Sequence, residues 1–193
     1  MRERIVSFLA DMDGWLAARA APGEGLDFYV IGKASVILFF GGDDFGASTS
    51  DVDVVLIGGA PEGLLLEALH RYGKNSPGHT AHGLYLEVVA CGLPPMPQGF
   101  QSRSKQVHGD WRVLRVMEPD PHDLAASKLK RFAAKDRQDL RHLVDKGFLE
   151  AEKLEESLAA AFAFEAEDSP GWEIARGNLK TVMDYLRGVA REL

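Results

Sequence analysis

An aspartate set inside a run of valines is the feature that most constrains this chain. The stretch Thr49-Ser50-Asp51-Val52-Asp53-Val54-Val55-Leu56 opens as a turn and continues as an apolar β-type run. Thr-Ser-Asp alone is ordinary turn chemistry. Asp53 is not, because an unpaired charge one residue inside a buried strand is costly. Side chains at i and i+2 of a strand share a face, so Asp51 and Asp53 project together, roughly 7 Å apart at Cα. Paired carboxylates in that arrangement suit a divalent cation held by oxygen ligands.

A small-residue turn precedes this pair. It reads Val30-Ile31-Gly32-Lys33-Ala34-Ser35. Together the two segments resemble the nucleotidyltransferase fold superfamily, whose signature is hydrophobic-Gly-Gly/Ser, a helix, then Thr-x-Asp-hydrophobic-Asp on a strand. The second part matches fully. In the first, Lys33 stands where a second Gly or a Ser is usual. The resemblance implies an α/β fold, a small mixed sheet with flanking helices, followed here by a C-terminal helical region. It also implies a Gly32 turn that opens a helix over Ala34–Phe40. On propensity alone Val36-Ile37-Leu38-Phe39-Phe40 reads as a strand. A helix there would turn its free N–H groups toward phosphate.

Charge and composition bound the function. Of 193 residues 46% are hydrophobic, enough for a real core, and the net charge is −7. A sequence-independent nucleic-acid binder needs excess Lys and Arg, which the whole chain lacks. The single cysteine, Cys91, excludes an internal disulfide and suits a reducing compartment. No apolar run reaches membrane-spanning length and Met-Arg-Glu-Arg does not open a signal peptide, so the expectation is a cytoplasmic protein with no membrane contact.

The chain in order reads as follows. Ile5, Phe8, Leu9, Met12, Trp15 and Leu16 recur at helical spacing. Phe28–Ile31 is a strand. Gly41–Gly46 is a glycine-rich loop, and Val52–Ile57 is the central strand, apolar on both faces. Pro61-Glu62 opens a helix carrying Leu64, Leu65, Ala68 and Leu69. Lys74–Gly83 is a turn-rich connection in which His79 and His82 lack a third ligand for a metal site and read as solvated. Leu84–Ala90 is a strand interrupted by Glu87. That residue is either a third acidic ligand beside the aspartate pair, as in catalytic members of the superfamily, or a solvent-facing charge on an edge strand. Pro94–Pro97 is an extended linker, Gln101–His108 a polar basic loop, and Trp111–Met117 a half-exposed strand. Composition shifts at Pro119-Asp120-Pro121, which divides an α/β domain over 1–118 from a helical region over 119–193 packed on it.

A second motif lies in the helical region. Asp123-Leu124-Ala125-Ala126-Ser127-Lys128-Leu129 leads to Lys135-Asp136-Arg137-Gln138-Asp139-Leu140. This resembles a bacterial branch of the superfamily that includes the AbiE-type and MenT toxins, with Ser-Lys-Leu followed by Lys/Arg-Asp-x-x-Asp-Leu. One continuous helix would put Lys128, Arg131, Lys135 and Asp139 on a shared face. The alternative is a break near Ala134 with Asp136 capping a new helix. Two amphipathic helices then end the chain, one carrying Leu154, Leu158, Ala161 and Phe162, the other beginning at Asp168-Ser169-Pro170.

The resemblance implies transfer of a nucleotidyl group from a nucleoside triphosphate (NTP) substrate, with Mg²⁺ as cofactor. Asp51, Asp53 and Glu87 would hold the metal. Gly32, Lys33, Ser35, Thr49, Ser50, Asp136 and Asp139 would contact the nucleotide. Asp51, Asp53 and Lys128 would carry the chemistry, with Lys128 reaching toward the aspartates and its loss costing nucleotide binding more than folding. RNA, a protein or a small molecule would be the acceptor, and the protein would act as a toxin of a toxin–antitoxin or phage-defence pair with an operon-encoded partner. The substitution at Lys33 favours an alternative, a non-catalytic nucleotide-binding or partner subunit of the same fold.

Overall fold

The computed structural model describes residues 1–42, 46–57, 61–90, 92–166 and 168–193. The middle of the expected glycine-rich loop, Asp43 to Phe45, and the single cysteine Cys91 lie outside the described residues. Two compact units form. The first comprises Met1–Ala90 and Ser104–Pro119, the second Cys91–Arg103 and Asp120–Leu193.

The first unit is α/β. Its elements are α1 (Arg2–Ala17), β1 (Leu26–Val30), α2 (Gly32–Phe39), β2 (Asp51–Val55), α3 (Glu62–Tyr72), α4 (Pro77–His82) and β3 (Tyr85–Val88). The second unit contributes α5 (Phe100–Arg103), after which β4 (Lys105–Gln106) and β5 (Leu114–Glu118) return to the first. Among the described residues the sheet is five-stranded and mixed, in the order β3-β2-β1-β5-β4. β1 runs antiparallel to β2 and parallel to β5, while β2 and β3 are parallel.

Strand alternation sorts the side chains. Leu26, Phe28 and Val30 of β1, Val52 and Val54 of β2, and Leu86 of β3 enter one buried cluster with Ile5, Phe8, Leu9, Met12 and Leu16 of α1 and Tyr72 of α3. Phe8 meets Tyr72 edge-on at 5.7 Å. The alternate residues of β2 and β3 therefore point to the opposite face, and these are Asp51, Asp53, Tyr85 and Glu87. So β2 is not apolar on both faces, since its aspartates stand half-exposed on this one.

Val36 to Phe39 are helical, not extended. Gly32 adopts φ +65, a left-handed value that breaks β1 and launches α2. The β-branched run is accepted in the helix because it is buried among the sheet's core residues. The connection expected over Lys74–Gly83 contains α4, capped by Ser76, whose side chain accepts the His79 N–H. Its histidines are packed, which corrects the solvated reading. His82 stacks edge-on against Phe8 and bonds Asp11, and His79 lies against Tyr85. The loop expected over Gln101–His108 contains the last residues of α5 and the strand β4.

One carboxylate pins the first unit together. Asp13 on α1 is 3% exposed, and accepts the backbone N–H groups of Arg112, Val113 and Leu114 at 2.8–3.1 Å. It thereby satisfies the entry to β5, where the buried Val113 and Leu114 donors and the part-buried Arg112 donor would otherwise lose this partner.

The second unit is helical, with α6 (Pro121–Leu129), α7 (Ala134–Asp145), α8 (Ala151–Ala161) and α9 (Pro170–Leu186). All of α6 from His122 onward is buried, polar residues included. Each of those polar groups is paired. Asp123 takes a bidentate bond from Arg103 and one from the Ser157 hydroxyl. His122 donates through Nδ1 to Asp120 and accepts the Glu150 N–H at Nε2. Between α6 and α7 the chain breaks, with Phe132 at φ +48. Among the described residues no helix is long and apolar enough to cross a membrane.

Candidate metal and nucleotide site

The site is assembled on one sheet face where β1 turns into α2. In the parallel pairing of β2 with β3, Asp51 stands opposite Tyr85 and Asp53 opposite Glu87. This register places a third carboxylate beside the first two. One oxygen from each of Asp51, Asp53 and Glu87 lies within 4.8 Å of the others. Asp51 and Asp53 are half-buried and Glu87 is exposed, so the trio opens to solvent on one side.

Gly32 closes the other side. A Cβ at Gly32 would overlap the Asp53 carboxylate. The Ile31 N–H meanwhile donates to the Asp53 carbonyl at 2.9 Å. Glycine is thus required twice, for its left-handed backbone and for the approach of Asp53. Ser35, three residues on, is fully buried, and its hydroxyl has no hydrogen-bond partner among the described residues. A buried hydroxyl in that state costs about 1–3 kcal/mol. Lys33 is half-buried at the first turn of α2.

Hydroxyl groups hold Asp51. Thr49 Oγ1 donates to Asp51 Oδ1 at 2.6 Å, and the Tyr85 hydroxyl lies 3.4 Å from Oδ2. The exposed Ser50 contributes its carbonyl, which accepts the Tyr85 N–H and fixes the β2–β3 register at its start. Burial pushes the Tyr85 phenol above its ordinary value, and the charges of Asp51, Glu87 and Asp53 push it further in the same direction. Sequence reasoning missed Tyr85. The signal was present, because Tyr85 is two residues before Glu87 and shares its face.

The second motif's residues lie in the helical unit. Lys128 is 5% exposed, and its ammonium donates to Asp139 at 2.8 Å. Arg131 makes two bonds of 2.7 Å to Asp136, which also accepts the Ala133 N–H from the first turn of α7. Burial raises the Asp136 carboxyl, but the Arg131 hydrogen bond, the charges of Lys128 and Arg131, and the Ala133 N–H outweigh it and hold it below the usual range. The helix therefore breaks, and Asp136 serves the new one from its third position rather than as its N-cap.

A family model described as a nucleotidyltransferase of unknown function (DUF6036) matches residues 11–174. The chain belongs to that family. The match spans the acidic trio, the Gly32 turn and both motifs, and supports membership of the nucleotidyltransferase superfamily. No curated protein and no solved structure matches this nucleotidyltransferase-family chain.

Proposed function

We propose that the protein is a Mg²⁺-dependent nucleotidyltransferase that moves a nucleoside monophosphate from an NTP to an acceptor hydroxyl. The observation that carries the reading is the convergence of Asp51, Asp53 and Glu87 oxygens within 4.8 Å against the Gly32 turn. Hard carboxylate oxygens in a half-open cluster fit Mg²⁺, which keeps several waters and takes one or two carboxylates plus substrate phosphates. When bound, the ion supplies charge neutralisation and alignment of the triphosphate.

The chain's own groups do the remaining work. The Gly32 turn and the first N–H groups of α2 face an anion favourably. Lys33 adds a cation at the same turn. Ser35, fully enclosed, reaches a phosphate oxygen only when that turn shifts. Thr49 and Ser50 hold the entry to β2 and so the aim of Asp51. In the transfer, the acceptor oxygen forms a bond to the α-phosphorus and the bond from the α-phosphorus to the bridging oxygen breaks. Pyrophosphate leaves, and Glu87, the most exposed of the three carboxylates, takes the acceptor proton. The resemblance implies Lys128 as a cation for the triphosphate and Asp136 and Asp139 as nucleotide contacts; within the helical unit those two carboxylates pair with Arg131 and Lys128. It also points to an RNA, protein or small-molecule acceptor, and to a toxin with an operon-encoded partner.

A second reading, nucleotide binding without transfer, is favoured by Lys33 in the position where the superfamily carries Gly or Ser. One experiment separates them. Purified protein is incubated with Mg²⁺, each α-³²P-labelled NTP, and total cellular RNA and protein, and the products are resolved on gels. Label transferred by the parent and not by Asp51→Asn or Asp53→Asn supports transfer. Nucleotide binding with no label transferred supports the second reading, and neither binding nor transfer rejects both.

A further inference from the structure

The acidic cluster has a fourth side chain on its face that the aspartate motif does not explain. Tyr85 pairs with Asp51 across β2 and β3, just as Glu87 pairs with Asp53. Its hydroxyl lies 3.4 Å from Asp51 Oδ2, while Thr49 Oγ1 sits 2.6 Å from Oδ1. Both oxygens of one carboxylate are thus engaged by hydroxyl groups, and its rotation is restricted from two sides.

The Tyr85 ring is itself held. His79 meets it edge-on at 5.2 Å, and the Lys74 ammonium lies 5.6 Å from its centroid. His79 is fixed in turn, because its Nδ1 accepts the Asn75 N–H at 3.0 Å and its own N–H donates to the Ser76 hydroxyl. The Tyr85 N–H donates to the Ser50 carbonyl at 3.0 Å. A chain of contacts therefore runs from the short helix α4 through the tyrosine to the carboxylate.

We propose that Tyr85 is a positioning residue that sets the orientation of Asp51 toward a divalent cation. The inference rests on the nucleotidyl-transfer reading and adds to it a determinant of cation affinity outside the acidic motif. Groups that hydrogen-bond metal ligands from behind fix their direction, and removing one weakens metal binding by roughly 10–100-fold. The Tyr85 contact is long at 3.4 Å and Thr49 remains as the second hold, so the low end of that range, about tenfold, applies.

The test is Mn²⁺ affinity, read by the loss of the free-ion electron paramagnetic resonance signal, in the parent and in Tyr85→Phe. The phenyl ring keeps the contacts to His79 and Lys74, so the variant folds, and its melting temperature verifies that. A Kd for Mn²⁺ raised about tenfold with an unchanged melting temperature is expected. Equal or tighter Mn²⁺ binding by Tyr85→Phe overturns the positioning role while leaving the nucleotidyl-transfer reading intact. A parent that binds no Mn²⁺, alone or with an NTP, overturns that reading and this inference with it.

Discussion

Replacing Lys128 by methionine removes an ammonium and keeps most of the side chain's volume. In the parent that ammonium is 2.8 Å from Asp139, with side-chain exposures of 6% and 2%. Two opposite charges this deeply enclosed are expensive to desolvate, and their attraction and hydrogen bond offset the cost. Without the cation, Asp139 stays buried and loses the charge it faces. Breaking one half of such a pair costs about 3–5 kcal/mol. For a chain of this size each kcal/mol lowers the melting temperature by about 2–4 °C, so a fall of about 6–20 °C follows. Circular dichroism melts of Lys128→Met, Asp139→Leu and the double variant measure it. The double variant should recover most of the loss, because an apolar pair of similar volume is often as stable as the ion pair it replaces. A Lys128→Met melting temperature within about 2 °C of the parent, or a double variant worse than both singles, would refute the reasoning. The buried pair also bears on the expectation that losing Lys128 costs nucleotide binding more than folding. Binding must be compared below the lowered melting temperature, where folding no longer confounds it.

Other consequences follow from single observations. Gly32→Ala forces a side chain into a left-handed backbone and onto Asp53, so it should cost at least about 1–2 kcal/mol in urea unfolding and weaken Mn²⁺ binding. Asp13→Ala strips the acceptors from three backbone N–H groups and should destabilise by about 3 kcal/mol or more, against almost nothing for the exposed Asp110→Ala. Asp136 has its folded-state pKa lowered. Its contribution is therefore present above the unfolded carboxyl value and lost as pH falls through the folded one. Acid unfolding of the parent should steepen below about pH 4, and Asp136→Asn should flatten that limb. Burial and the bond to Asp11 push the Tyr72 phenol up to about 12. An ultraviolet titration should show a tyrosine ionising there, and Tyr72→Phe should remove that step.

Much of the site's arrangement can be read from residue spacing. Asp51 and Asp53 declare a shared face by their separation, and the valines between and after them declare the strand. Glu87 stands out as one charge in an apolar run. What spacing cannot give is the register that sets Glu87 opposite Asp53, because that depends on pairing across more than thirty residues of chain. The helix α2 runs against its own β-branched composition. Its state is set by the left-handed turn at Gly32 and by burial among core residues, so local propensity misleads there. Tyr85 hid among apolar neighbours, where an aromatic residue reads as core. Asp13 hid on an amphipathic helix, where one acid reads as solvated. In the second motif, spacing put Lys128 and Asp139 eleven residues apart on one imagined helix. They meet because the chain breaks at Phe132 and brings α7 back beside α6.

The central claim is that Asp51, Asp53 and Glu87 together hold a divalent cation. Diffraction from crystals grown with Mn²⁺ and a non-hydrolysable NTP analogue, collected at the manganese absorption edge, tests it most directly. The account predicts an anomalous peak about 2.0–2.3 Å from oxygens of the aspartates, with Glu87 in the same coordination sphere or one water away, and no such peak for Asp53→Asn. Ordered nucleotide in the crystal with no peak at these carboxylates, or a peak that survives the Asp53→Asn change, would contradict it.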